Sequence, residues 1–305
     1  MQPLRGIVLK ILSISTFVCM ASLIKATADA VPPGEAVFFR SFFALPIIFG
    51  WLLVRGELKT GWKTQNPMGH LWRGLVGTTA MGLYFTGLGL LPLPEVTAIS
   101  FASPLFVVIF AAMFLDEKVG LFRVSTVALG LCGVLIVLSP RLTLDFGATE
   151  GLGAIVVLMG AVMAALAMVF VRKLVQTENT AAVVFWFTIT STALSMLTLP
   201  WGWTWPGWGT AGLLIGAGLL GGVGQIFLTL SYRYADASLV APFDYTSMIL
   251  ALGIGYFVFD EVPTGTMLTG AVIVILAGVL IIWRERQLGL KRARQREVMG
   301  QVGGK

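Results

Sequence analysis

Runs of about 20 apolar residues follow one another along this chain, and that length crosses a hydrocarbon layer of about 30 Å. Inside lipid every backbone amide must find a partner within the protein, a need that helices meet segment by segment. Composition agrees: of 305 residues, 57% are hydrophobic and 12% charged, where a soluble chain carries about 25% charge. The deficit runs the whole length, which excludes a soluble helical core. The expected class is an all-α polytopic membrane protein.

Ten helices are expected, near residues 5–26, 34–54, 71–90, 95–115, 121–139, 151–171, 180–200, 209–232, 237–259 and 264–283. Prolines mark their limits. Pro32 and Pro33 part the first from the second, and Pro92 and Pro94 the third from the fourth. Pro140 stops the fifth and Pro200 the seventh. Placing the N-terminus in the cytoplasm puts every Lys and Arg on the inner side except Lys25, Arg141 and the intramembrane Arg40. That bias sets orientation, and ten spans then leave both termini cytoplasmic. Ala26-Thr27-Ala28 resembles a signal-peptidase site, but cleavage there would remove one helix of ten, so 5–26 is expected to remain.

Several chemistries find no footing. Cys19 and Cys132 lie inside apolar runs as small hydrophobes. His70 is the single histidine and makes no metal cluster. No Gly-rich phosphate loop with a following Lys-Ser/Thr is present, so ATP bound to this chain powers nothing. Neither cofactor nor metal is expected. Trp201, Trp203, Trp205 and Trp208 form an outer aromatic anchor. The basic segment Arg284–Arg296 lies just inside the membrane and suits anionic headgroups; nucleic acid is not needed to explain the net charge of +6.

Two acidic pairs, Asp116-Glu117 and Asp260-Glu261, each close an apolar run, and they stand 144 residues apart. At that offset Val96 meets Val240 and Ser103 meets Ser247. After a slip of one residue, Gly133-Val134-Leu135-Ile136 meets Gly278-Val279-Leu280-Ile281. The chain thus reads as a five-helix unit written twice, over 1–145 and 146–284, followed by a basic cytoplasmic tail at 285–305. An odd number of spans turns the second unit upside down, the architecture of many secondary transporters. The third helix of each unit is rich in glycine, which lets helices approach closely.

Ten short spans, two five-helix units, and an acidic residue before a helix ending Gly-Val-Leu-Ile resemble the drug/metabolite transporter superfamily, in its ten-helix EamA-type branch. Phe38-Phe39-Arg40-Ser41 and Ala241-Pro242-Phe243-Asp244-Tyr245 are similar to a subgroup that includes bacterial riboflavin and S-adenosylmethionine uptake carriers. Leu115-Asp116-Glu117 departs mildly from the Gly-Glu usual there. The resemblance implies a transporter of small metabolites in the bacterial inner membrane and leaves the substrate open.

Charges inside spans are costly, by about 2.5–3.5 kcal/mol on insertion scales, and mark function. Arg40 enters its helix roughly 9 Å from the outer face and Asp244 roughly 10 Å from the inner, so a direct ion pair between them is not expected. Each is a candidate for a central substrate site, Arg40 toward an anionic or carbonyl group and Asp244 toward a cation or donor. Their partners in the repeat, Trp186 near Arg40 and Ser100 opposite Asp244, join them. So do Tyr84, Phe101 and Tyr245, whose rings suit flat or cationic ligands. Glu117 and Glu261, at related borders, are candidate gates, with Lys25 at the outer end of the first helix. Pro242, which removes a backbone donor near Asp244, completes the set.

The expected function is secondary transport of a small polar or aromatic metabolite, riboflavin-like or S-adenosylmethionine-like, by alternating access. The alternatives are an amino-acid or drug exporter of the same fold and, from another class, an intramembrane enzyme on a lipid-linked substrate. The enzyme needs a convergent acid/base or metal constellation, which the sequence does not offer. Direction, coupling ion and self-association into a homodimer stay open.

Overall fold

The computed structural model describes residues 3–114, 121–140, 149–174, 177–235 and 241–302. Twelve α-helices and one 3-10 turn make up these residues: α1 (Pro3–Ala26), α2 (Pro33–Phe42), α3 (Leu45–Val54), α4 (Pro67–Leu90), α5 (Leu93–Ser100), α6 (Ala102–Phe114), α7 (Leu121–Leu138), α8 (Thr149–Leu174), α9 (Thr180–Met196), α10 (Trp208–Tyr234), the 3-10 turn Ala241–Tyr245, α11 (Thr246–Phe259) and α12 (Gly265–Val302). They group into the ten expected segments, because α2 and α3 share one, α5 and α6 another, and the turn leads into α11.

Local chemistry explains the ends. Pro33, Pro67 and Pro94 occupy first-turn positions, where a missing amide hydrogen costs nothing. Asn66 caps α4 by accepting from the Gly69 amide at 2.9 Å. Three segments expected as continuous helices are broken, and proline accounts for two of the breaks. Pro46 follows the gap between α2 and α3, and Pro104 the gap at Phe101; each removes a donor and crowds the preceding turn. The ninth segment, expected as helix from residue 237, is a 3-10 turn across Ala241–Tyr245 before α11 begins. The last helix runs past its expected end near residue 283 to Val302.

The most extensive helix pairings are α1 with α10, α4 with α8, and α7 with α12; α2 packs on α9 and α5 on α11. One apolar core joins residues of both halves, including Ile24, Leu88, Val96, Leu105, Leu214 and Met267. Large apolar side chains also face outward, Ile249 at 71% and Phe257 at 83% exposure, a surface suited to lipid rather than water. Among the described residues, six segments are long and apolar enough to cross a membrane: Leu4–Ala26, Pro33–Val54, Leu93–Phe110, Gly151–Val171, Trp208–Ser231 and Gly265–Arg284. Val124–Leu138, Ala181–Met196 and Phe243–Phe259 are shorter apolar helices. The chain is a multi-pass membrane protein.

Candidate functional site

A cavity of about 1160 Å³ opens between the two halves of the chain, large enough for a metabolite. Residues from α1, α4, α5, α6, α9, α10 and α12 line it, so neither half builds it alone. Part of its wall is aromatic. The Phe101 and Tyr245 rings meet edge to face with centroids 5.0 Å apart, a favoured arrangement of two quadrupoles. Both stand at helix breaks, and both are mostly buried. Tyr245 is seated against Gly278 of α12, where even a Cβ would overlap its hydroxyl. Tyr84, Ser100, Ser103 and Ser247 complete this part of the wall.

Asp244 also lines the cavity, and Lys10 of α1 holds it at 2.7 Å. The pair is asymmetric: the Lys10 side chain is buried and the Asp244 side chain is nearly half exposed. Arg40 is only 5% exposed. It sits behind the wall against Gly221 and Met20, with its guanidinium 6.0 Å from the centre of the Phe187 ring. Phe187 and Arg73 are themselves wall residues. Trp186 points elsewhere: its indole donates to the Trp62 carbonyl at 2.8 Å. Pro242 lies in the 3-10 turn that presents Asp244 and Tyr245.

Lys25 and Glu261 meet at one end of the molecule, 2.8 Å apart. Glu261 takes the Leu93 amide on its other oxygen at 2.8 Å, and Lys25 also donates to the Leu88 and Leu91 carbonyls. Three connections are thereby tied together beside the wall residue Leu93: the end of α1, the α4–α5 link and the α11–α12 link. Asp260 sets the aim. It adopts the left-handed conformation, φ 54°, as α11 ends, and the Glu261 amide folds back onto the Gly255 carbonyl at 2.9 Å. The two members of this acidic pair thus divide the work, one turning the chain and one clasping it. Glu117, in the other pair, lies outside the described residues.

Two further carboxylates bind loops. Glu35 accepts from the Thr204 amide at 2.9 Å. Glu178, between α8 and α9, accepts from the Thr64 hydroxyl at 3.0 Å and from the Gln65 and Asn66 amides at 2.8 Å each. Burial pushes the Glu178 carboxyl up, but those donors and the nearby His70 hold it below the usual carboxylate range.

Sequence reasoning missed Lys10, Arg73, Phe187, Glu35 and Glu178. The charge count sets Lys10 and Arg73 on the inner side with the other basic residues, although each has apolar residues about it, Leu9 and Ile11 for the first and Leu71 and Leu75 nearby for the second. That interruption of an apolar run was the available signal.

Known proteins match this arrangement along nearly its full length. The chain is 29% identical to the pseudopaline exporter CntI of Pseudomonas aeruginosa (strain UCBPP-PA14), over 90% of this chain and 95% of that one. It is 29% identical to an S-adenosylmethionine uptake transporter of Rickettsia felis, over 83% and 84%. It is 28% identical to a riboflavin transporter of Rhizobium johnstonii, over 87% and 85%. A solved crystal structure superposes with a TM-score of 0.66 at 19% identity, covering 91% of this chain and 97% of the other, a likeness of fold alone. The EamA-like transporter family matches twice, at residues 4–139 and 151–283, and this chain belongs to that family.

Proposed function

We propose that the chain is a secondary active transporter of the bacterial inner membrane that carries a small polar or aromatic metabolite through the central cavity by alternating access. The observation that carries this reading is a cavity shared by both halves, with the Lys25–Glu261 contact joined to its wall residue Leu93. The wall residues Arg55, Asn179 and Asp244 lie on segments whose basic flanks are expected in the cytoplasm, which supports reading the other end as the inner one. The described arrangement is then inward-facing, with the outer gate closed. Alternation opens the Lys25–Glu261 contact and closes the inner side, for which the sequence repeat offers Glu117.

The machinery is two inverted five-helix units, 1–145 and 146–284, with both termini and the basic tail 285–305 in the cytoplasm. The double family match supports this, and so does packing. Exchanging the units maps the α1–α10 pairing onto α8–α4 and returns the α7–α12 pairing to itself. The offset of 144 also relates Phe101 to Tyr245, Ser103 to Ser247, and Gly77 to Gly221. Phe101 and Tyr245 therefore sit where the two units face each other, and the break at one is repeated at the other. Tyr84, Phe101 and Tyr245 would stack on a flat cargo, with Ser100 and Asp244 offering polar contacts. Riboflavin-like and S-adenosylmethionine-like molecules lead, following the uptake relatives. Export is the second reading, favoured by the pseudopaline exporter's match over 95% of its length.

The test is flux in proteoliposomes. Purified protein should exchange labelled S-adenosylmethionine or riboflavin across the bilayer, and Tyr245→Ala should slow it at least fivefold. If neither compound moves and neither shifts the unfolding temperature, the cargo assignment fails. Loading from each side separates uptake from export.

A further inference from the structure

The charges around the cavity do not balance. Among the described residues, the other ionic groups of the wall have partners: Arg55 binds Glu57 at 2.9 Å and Asp244 binds Lys10 at 2.7 Å. Arg73 and Arg40 have none of that kind; no described carboxylate lies within 4.0 Å of either. Arg40 Nε and Arg73 Nε and Nη1 are buried and donate to no described acceptor. A guanidinium carries five N–H donors and no acceptor, so burying these atoms unpaired is costly.

Both cations address one ring. The Arg73 Cζ lies 3.8 Å and the Arg40 Cζ 6.0 Å from the Phe187 centroid, which places the two within about 10 Å of each other. The ring face attracts them but satisfies none of their hydrogen bonds. Room for them comes from glycine. A Cβ at Gly77 of α4 would collide with Arg73 Nη1 and come within 2.9 Å of Phe187, and one at Gly221 of α10 would come within 3.1 Å of Arg40 Nε. Gly77 and Gly221, 144 residues apart, thus each leave room for one guanidinium group. Neither arginine is repeated: the same offset takes Arg40 to Val184 and Arg73 to Ala217.

We infer that Arg73, in the cavity wall, and Arg40, behind it beside Phe187, form an anion site that receives a carboxylate of the cargo. Arg73 makes the contact through its planar fork, and Arg40 adds a second charge in a poorly screened wall. The cargo is therefore an organic anion or zwitterion. Its carboxylate lies at Phe187 and its body toward Phe101 and Tyr245. This inference rests on the cavity being the cargo site.

Thermal unfolding of the detergent-purified full chain tests it with sodium benzoate as probe. Benzamide is the neutral counterpart, sodium phosphate the inorganic anion, and sodium chloride balances ionic strength. Benzoate at ten times its Kd should raise the unfolding temperature by about 3 °C, and benzamide and phosphate should not. Arg73→Gln should weaken the benzoate response at least tenfold, Arg40→Gln by several-fold, and Arg73→Lys should retain part of it. Equal responses to benzoate and benzamide, or no response to benzoate, overturn the site without requiring any variant to fold. A phosphate response matching benzoate overturns the organic assignment, and an undiminished benzoate response in Arg73→Gln overturns the residue. Binding in detergent needs no flux, so failure here leaves the transport reading standing. An intact benzoate response without flux leaves the anion site standing.

Discussion

In the proposed transport cycle, replacing Glu261 by Gln keeps the shape of the outer clasp and removes its charge. In the native contact one oxygen takes Lys25 Nζ and the other takes the Leu93 amide, each at 2.8 Å. A carboxamide has one oxygen, so it can serve only one of these donors while its own NH₂ confronts the other. The loss is one charge-assisted hydrogen bond, about 1.5–3 kcal/mol. Both side chains of the pair are 14% exposed, so solvent screening trims this little. Taking about 2 kcal/mol, the closed outer gate loses about 30-fold in population relative to the open one. A gate open 1% of the time would then be open about 23% of the time. Lys25→Met should act more strongly, about 3–5 kcal/mol, because it leaves Glu261 without its cation. Spin labels at Asp29→Cys and Val262→Cys, with Cys19 and Cys132 replaced by Ala, report the outer rim by electron–electron dipolar spectroscopy. Both variants should add a longer-distance population, Lys25→Met the more. If both only lower the unfolding temperature and leave the distance distribution unchanged, the pair is a staple and the gating argument is wrong.

Two other outcomes follow. Gly278→Ala places a methyl where the Tyr245 hydroxyl sits, so it should displace that ring from Phe101. The expected cost is about 1–3 kcal/mol of stability and cargo affinity weakened several-fold, read by unfolding temperature and by ligand titration. For Glu178 the folded carboxyl lies below its usual range, so it stabilises the fold above the unfolded-state pKa and loses this as pH falls through the folded value. Stability of Glu178→Gln measured from pH 7 downward should trail the native chain near neutrality and converge with it in acid. A gap that stays constant with pH would show that the loop contacts do not depend on the charge.

The ten segments were legible because apolar runs and prolines act locally, and each boundary depends on a few neighbouring residues. Lys25 and Glu261 could be named one by one as gate candidates, yet 236 positions separate them, and only the folded chain brings them together. Breaks inside a span were harder, since Pro46 and Pro104 are compatible with a kinked continuous helix as well as with an interruption. Arg73 and Lys10 show the sharper limit. A basic residue near a span end looks the same in sequence whether it reaches the interface or turns inward. Burial decides, and burial comes from Gly77 and Phe187 on one side and Asp244 on the other. Arg40 was recognised by its depth, but its separation from the cavity by the wall residues Phe187 and Arg73 is a property of packing alone.

The central claim is that one cavity opens to one side of the membrane at a time, inward in the arrangement described. Ser247 lines that cavity, so Ser247→Cys, with Cys19 and Cys132 replaced by Ala, is its direct reporter. A membrane-impermeant maleimide should label it in inside-out vesicles and leave it unlabelled in right-side-out ones, and adding Glu261→Gln should make it reactive from the outside. Equal labelling from both sides without that change, or labelling from the outside alone, would contradict the account.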